Sequence, residues 1–338
     1  ALTDELARAR RELAEMDECM PHYYKVTNNH GQGAETIMRA EALFCQGHFT
    51  DAHIELERAY AQVRDNGQIN MALCCDFLSR RLSLHTDVEQ RYTFAERYAE
   101  LLQYHDASWI NIWCATSAYY HALRGEAEKI PKIFSQHRLS TVNMLAPGKP
   151  MMEMIENQVY LAQGAYAKVV GRSAELLAVC EAMHYALVAL HIRIQTAAAY
   201  EKLGKTEEAR VWLRKALADA EPDSFVMPFV ENYDCLQPIL AREMKNDLIV
   251  KITGLGEAAK ARNAASVRPA AFDVLTAREF EIVELMVQRL SNREIAEKLY
   301  LSEGSVKQYA NQIYSKLHID GDTRTKRKQL AELLGQKP

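Results

Sequence analysis

The sequence predicts an all-α chain: an α-solenoid of antiparallel helix pairs followed by a small four-helix domain. Three observations predict it. Proline is sparse, 9 in 338 residues, and no stretch shows the strong apolar–polar alternation of strands. Glycine recurs at a fixed interval, at 47, 125, 164 and 204, with Thr86 at the missing step of a period of 39–40. Near the C-terminus three helix-start signals follow in close succession: Thr276-x-x-Glu279, Ser291-x-x-Glu294, and Ser302 ahead of Glu303-Gly304-Ser305-Val306. The first two are capping boxes, in which the hydroxyl and the later carboxylate satisfy each other's orphan backbone donors.

The repeats come first in the chain. In AEALFCQGHFTDAHIELERAY, Ala42, Gly47, Phe49, Ala52, Leu56 and Ala59 fall in order. In AAAYEKLGKTEEARVWLRKAL, Ala199, Gly204, Thr206, Ala209, Leu213 and Ala216 fall at the same offsets, and Gly164, Tyr166 and Val169 repeat part of the pattern. Glycine ends the first helix of each pair, and small residues let the second approach. The pattern resembles tetratricopeptide repeats, whose standard period is shorter, about 34. Such pairs stack into a superhelix with a concave face. Tyr119, Tyr120, Trp109, Trp113, Tyr160 and Tyr200 are candidates for that face, with inter-helix packing the favoured role for each. The units around Thr86 and Gly125 lack the expected small residue, which leaves their register open.

Ser140 to Pro150, STVNMLAPGKP, reads as an internal loop. Thr253 to Ala271, with Gly254, Gly256, an alanine run and Pro269, reads as a linker with a helical middle. The expected division is 1–253 for the repeats, 254–271 for the linker and 272–338 for the C-terminal domain. The chain opens at Ala1 inside an apparent helix, with Leu2, Leu6, Ala9 and Leu13 on one face.

In the C-terminal domain, Phe280, Val283 and Val287, extended by Ile282 and Met286, give a first helix over about 277–288. Ser291 caps a second helix with Ile295, Ala296 and Leu299 inward and Arg293, Glu297 and Lys298 outward. Ser302 caps a third, with Val306, Ala310, Ile313 and Leu317 on one face. Its other face carries Lys307, Gln308, Asn311, Gln312, Ser315 and Lys316, and no acid lies between Ser305 and Lys316. Such a face can lie against phosphates without repulsion. Gln308 and Asn311 share a side at i, i+3, and amides of this kind pair with adenine edges, as lysine does with guanine. On periodicity alone a small bundle with a solvated face fits as well.

This stretch resembles the LuxR-type helix-turn-helix domain, whose pattern is LTxRE, LSNxEIA, then SxxTVKxHxxxIxxKL. Here Leu275–Glu279, Leu290–Ala296 and Ser302–Tyr309 follow it, with Ile313 and Lys316-Leu317 in register. Ser305 stands where Thr is usual, Tyr309 where His is usual, and Arg289 replaces the common Gly before Leu290. The match covers about one fifth of the chain. It implies that the third helix enters the major groove, with Val306 and the residues after it, Lys307, Gln308, Asn311 and Gln312, at the bases. It also implies Ser305 against backbone or base edge, and Asn292 and Lys316 at phosphates. Arg324-Thr325 matches the pair that opens a fourth helix, and Arg324 is a further expected DNA contact. Leu330, Leu333 and Leu334 either pair two such domains or cover the third helix.

The charge balance agrees with local rather than global attraction. Net charge is −4, yet Arg289–Lys328 holds 9 Lys/Arg against 5 Asp/Glu. Seven cysteines, Cys19, Cys45, Cys74, Cys75, Cys114, Cys180 and Cys235, form no CxxC and read as reduced thiols of a cytoplasmic protein. No apolar run is long enough to cross a membrane. His48 with His53, or His184 with His191, lacks a third ligand for a metal. Gly204-Lys205-Thr206 lacks the earlier glycine of a phosphate loop, and Gly171–Glu175 falls one residue short of a nucleophile elbow. No enzyme activity and no cofactor are expected on this chain.

Repeats ahead of this domain resemble the C-terminal half of MalT-like regulators, the large ATP-binding LuxR class. That resemblance implies an ATPase region before the repeats, absent from this stretch, and inducer binding by the repeats. The leading expectation is a sequence-specific transcription regulator acting on double-stranded promoter DNA. Its repeats would sense a small-molecule or protein effector, RNA polymerase would be the downstream partner, and it would bind DNA as a homodimer. The alternative is a protein-interaction scaffold in which DNA binding is only a tether. A closed pocket in the repeats favours the first, and a long open groove the second.

Overall fold

The computed structural model describes residues 32–65, 67–88, 90–104, 107–142, 148–266, 272, 274–299 and 301–333. The expected helix at Leu2–Leu13 and residues 143–147 of the 140–150 loop lie outside them. All regular elements among the described residues are helical, and the chain divides into two units, Ala1–Asn263 and Ala264–Pro338.

Among the described residues, the first unit holds five helical hairpins. They are α1 (Ala34–Cys45) with α2 (Phe49–Asp65), α3 (Ile69–Ser83) with α4 (Phe94–Leu101), and α5 (Ala107–Leu123) with the single turn α6 (Lys132–Ser135). Then come α7 (Lys149–Ala162) with α8 (Tyr166–Ala182), and α9 (Ala186–Lys202) with α10 (Thr206–Ala220). The turns fall where the glycine interval places them. Gly47, Gly125, Gly164 and Gly204 have φ of 78°, 69°, 74° and 74°. Each sits in a Schellman turn: the next residue's N–H returns to the helix, as in His48 to Leu43 at 2.9 Å and Lys205 to Tyr200 at 3.0 Å. At the step without glycine the Thr86 hydroxyl donates to the Leu82 carbonyl at 3.0 Å, so a side chain satisfies the end of α3.

The equivalent positions of the two clearest repeats are buried alike. Ala52, Leu56 and Ala59 of α2 match Ala209, Leu213 and Ala216 of α10, all essentially without exposed surface. The first helices α1, α3, α5, α7 and α9 pack side by side in sequence. The aromatic candidates serve packing where the structure gives them contacts: Tyr119 is buried, Trp113 donates to the Phe94 carbonyl at 3.1 Å, and His137 stacks on Tyr160 at 3.9 Å.

The array then closes on itself. α11 (Met227–Val230), α12 (Tyr233–Leu240) and α13 (Asp247–Ser266) follow the fifth hairpin. The Val226 N–H donates to the Cys45 carbonyl at 2.7 Å, and the Gln46 amide donates to the Asp223 carbonyl at 3.1 Å. Leu255 of α13 lies against Gly47. One buried acid crosses the interior: Glu231 accepts from Arg81 of α3 at 2.6 Å and from the Tyr119 hydroxyl of α5 at 2.8 Å. Arg81 also pairs with Glu41 of α1.

Two expectations are corrected here. The stretch from 254 is no linker as far as Ser266, because α13 runs unbroken through Gly254 and Gly256. A Cβ on Gly256 would stand 2.3 Å from the Tyr233 ring, so this glycine serves close packing rather than a hinge. The boundary between units accordingly falls after Asn263, not after 253. Gly204-Lys205-Thr206, for its part, forms the α9–α10 turn.

Candidate nucleic-acid interface

The second unit contains α14 (Ala277–Val287), α15 (Asn292–Leu299), α16 (Glu303–Lys316) and α17 (Thr323–Leu333). The capping signals act as read. Thr276 and Glu279 form a complete capping box. The Ser291 N–H reaches Glu294 at 2.7 Å, with the return bond from the Glu294 N–H to Oγ at 3.3 Å. Ser302 Oγ accepts from the Ser305 N–H at 3.0 Å. Ile282, Val283 and Met286 of α14, Ile295 of α15, and Val306, Ile313 and Tyr314 of α16 close the core, with Phe272 edge-on to Phe280.

The first motif proves to be a clamp on this arrangement. Arg278 donates to the Leu299 carbonyl at 2.7 Å, holding the end of α15 against α14. Glu279 caps its own helix and also accepts two bonds from Lys316, at 2.8 and 2.7 Å, which ties α14 to the end of α16. Burial pushes the Glu279 carboxyl up, but the bonds from Lys316 and Thr276 outweigh it and hold it below the ordinary range. The C-terminal ends of α15 and α16 are thus both tied to α14, and α16 presents its remaining face outward.

On that face Lys307, Gln308, Asn311 and Gln312 are all exposed. They occupy about one and a half turns of a helix whose diameter, about 10–12 Å, fits a major groove about 12 Å wide. Ser305 is half-buried, its hydroxyl 2.8 Å from that of Ser302. Asn292 is half-buried at the first position of α15. Arg324 lies in the first turn of α17, and its side chain is outside the described residues.

Two readings change, and of the two alternatives for Leu330 burial favours covering the third helix. Val306 is fully buried, so it belongs to the core and not to a DNA-facing set; it shares the inward row with Ala310 and Ile313. Lys316 has its ammonium on Glu279, which gives it a tethering role in place of a free phosphate contact. Leu330 is fully buried in the domain core, leaving Leu333, 39% exposed, as the described apolar residue of α17 at the surface. Sequence reasoning also missed Tyr314, buried and overlain by Lys326, because its position on the lysine-bearing stretch masked an inward side chain.

A two-helix step with a polar, acid-free second helix, fixed by a third helix behind it, defines a DNA-binding helix-turn-helix unit. Residues 273–327 match the family model described as bacterial regulatory proteins, luxR family. The chain therefore carries a LuxR-family helix-turn-helix domain at its C-terminus. It is similar to transcriptional regulatory protein LnrK of Bacillus subtilis (strain 168), 46% identical over 50 residues, or 15% of this chain and 23% of that protein. It is also similar to transcriptional regulatory protein DegU of Brevibacillus brevis, 41% identical over 51 residues, or 15% of this chain and 22% of that protein. The chain thus spans less than a quarter of the length of either relative. No solved structure matches it.

Proposed function

We propose that this protein is a sequence-specific, DNA-binding transcription regulator whose repeat unit senses a small effector. The observation that carries the DNA reading is the exposed, acid-free row Lys307, Gln308, Asn311 and Gln312 on a helix fixed by the Arg278 and Glu279 contacts. α16 lies in the major groove, Gln308 and Asn311 read base edges, and Asn292, Ser305 and Arg324 contact the backbone. The protein acts in the cytoplasm as a homodimer on promoter DNA, upstream of RNA polymerase. This matches what the printed names of both relatives describe, transcriptional regulation.

The closure of the helical array supports a small ligand over the scaffold alternative. A cavity of about 310 Å3 lies where α3, α5 and α7 end, bordered by His85, Arg124, Gln158, Glu231, Lys260 and Asn263. That size is at the low end of small-molecule sites, and polar groups of both signs converge on it. The return of α11–α13 onto the first hairpin, through the Val226–Cys45 and Gln46–Asp223 bonds, supports a bounded pocket over a long open groove.

Selection from a random duplex library with the full chain tests the DNA reading. The expected result is one enriched motif, with Gln308→Ala and Asn311→Ala each relaxing a base position at a cost of about 1–3 kcal/mol. Absence of enrichment, or an unchanged motif and affinity in both variants, would overturn it.

A further inference from the structure

Lys326 and Arg327 of the second unit sit on Tyr314, and its other described cations fall into two groups. Arg278 pairs with Glu281, Arg293 with Glu297, Lys316 with Glu279 and Lys328 with Glu332. Among the described residues, Arg289, Lys298 and Lys307 are exposed and pair with no carboxylate of the unit. Lys307 begins the outward row of α16, and Lys298 lies on the outer face of α15. Arg289 stands in the turn that leads into α15, two residues ahead of its Ser291 cap.

Its backbone is unusual. Arg289 has φ of 65° and occupies the left-handed position of a Schellman turn closing α14, with the Leu290 N–H returning to the Leu285 carbonyl at 3.3 Å. Four turns of the repeat unit place glycine at the same position. Glycine adopts this conformation without the steric penalty an arginine meets. His318 and three other residues outside glycine also carry positive φ, so the conformation alone assigns no role. What sets Arg289 apart is a full, unneutralised charge at the entry to the first helix of the DNA-binding pair, the helix that crosses the phosphate backbone when the second occupies the groove.

We propose that Arg289 is a phosphate-contacting residue of the DNA interface, at the turn that leads into the first helix of the DNA-binding pair. The proposal rests on the DNA-binding reading above and deepens it. An arginine guanidinium here donates in a fork to phosphate oxygens, a sequence-independent contact that adds affinity and no base preference.

The conformation supplies a test in which stability and binding move in opposite directions. The full chain and its Arg289→Gly, Arg289→Asn and Arg289→Lys variants are titrated against a fluorescein-labelled duplex of mixed sequence over a range of salt, and their thermal unfolding is recorded. Gly and Asn both accept the left-handed turn. Arg289→Gly is expected to raise the unfolding midpoint of the second unit while weakening binding several-fold. It also lowers the slope of log K against log salt by about 0.9, the share of one phosphate. Arg289→Asn follows it in binding, and Arg289→Lys retains the wild-type slope. An unchanged slope and affinity in Arg289→Gly and Arg289→Asn, with wild type still binding, would overturn the assignment of Arg289 alone. Failure of wild type to bind any duplex would overturn the DNA-binding reading on which it depends.

Discussion

Replacing Glu231 with alanine removes the acid that joins α3, α5 and the returning segment. Its side chain is fully buried, and that of Arg81 is 3% exposed, so neither charge has water to fall back on. Truncating one partner of a buried ion pair costs about 3–5 kcal/mol, because the other charge is left uncompensated. Glu41 still faces Arg81 after the change, which places that component near about 3 kcal/mol. The Tyr119 hydroxyl loses its acceptor as well, adding about 1 kcal/mol. The sum, about 4 kcal/mol, corresponds to a fall of roughly 8–16 °C in melting temperature for a unit of this size. The three tryptophans, Trp109, Trp113 and Trp212, all lie in the repeat unit, so tryptophan fluorescence during urea unfolding of the full chain reports this unit. The double variant Arg81→Met/Glu231→Leu removes both buried charges, leaves Glu41 with a partly exposed carboxylate that water can reach, and should recover most of the loss, since a buried pair is readily matched by apolar side chains. A Glu231→Ala cost below about 1 kcal/mol, or a double variant no more stable than the single one, would refute the view that this acid holds the closure.

Acid should loosen the repeat unit through its buried imidazoles. Desolvation, helped by the Arg81 charge, depresses both His85 and His191 to about 3 from an ordinary 6.5. The unfolded chain therefore takes up protons first, and stability present above pH 6.5 is lost as pH falls toward 3; urea midpoints on either side of pH 6.5 check the direction, and removing both imidazoles should flatten the slope. In the second unit, Glu279→Gln should cost about 1–2 kcal/mol by weakening the charge-assisted bonds to Lys316 and the helix cap, read as faster amide hydrogen exchange in α14 and α16. Because the Glu279 carboxyl is held below its ordinary range, its contribution is present above about pH 4.5 and is lost as pH falls through the lower folded value; the same exchange measurement in acid should show it in wild type and not in the variant.

What the sequence makes legible is local and periodic. A glycine that ends a helix in a Schellman turn leaves a signature at one position, so the turns at 47, 125, 164 and 204 are readable without coordinates. Capping boxes are equally local, and Thr276, Ser291 and Ser302 mark their helices. Val306 shows where resemblance and periodicity part: motif position suggests a base contact, while its i, i+4, i+7 spacing with Ala310 and Ile313 places it inside, and burial agrees with the spacing. Lys316 is the reverse case. Its exposed-face spacing holds, but the Glu279 partner lies 37 residues away and no local pattern records it.

The same limit explains why the return of the chain onto its first hairpin is not legible in the repeats. Glu231 and Arg81 are 150 residues apart, and Val226 binds a carbonyl at Cys45. A backbone carbonyl leaves no mark in the sequence, and a glutamate ahead of Asn232-Tyr233 reads as surface because acids are rarely buried unpaired. Gly254 and Gly256 mislead in a related way, since glycine signals both a flexible linker and a close helix crossing, and only the Tyr233 ring against Gly256 decides between them. Closure is therefore a tertiary property written in pairs of distant residues, each unremarkable alone. Glu231 belongs to the interior ion pair and also borders the cavity proposed for the effector. A ligand competing for its carboxylate would act on the contacts joining α3, α5 and the end of α11, and under the proposed function effector binding and closure would then be coupled through one residue.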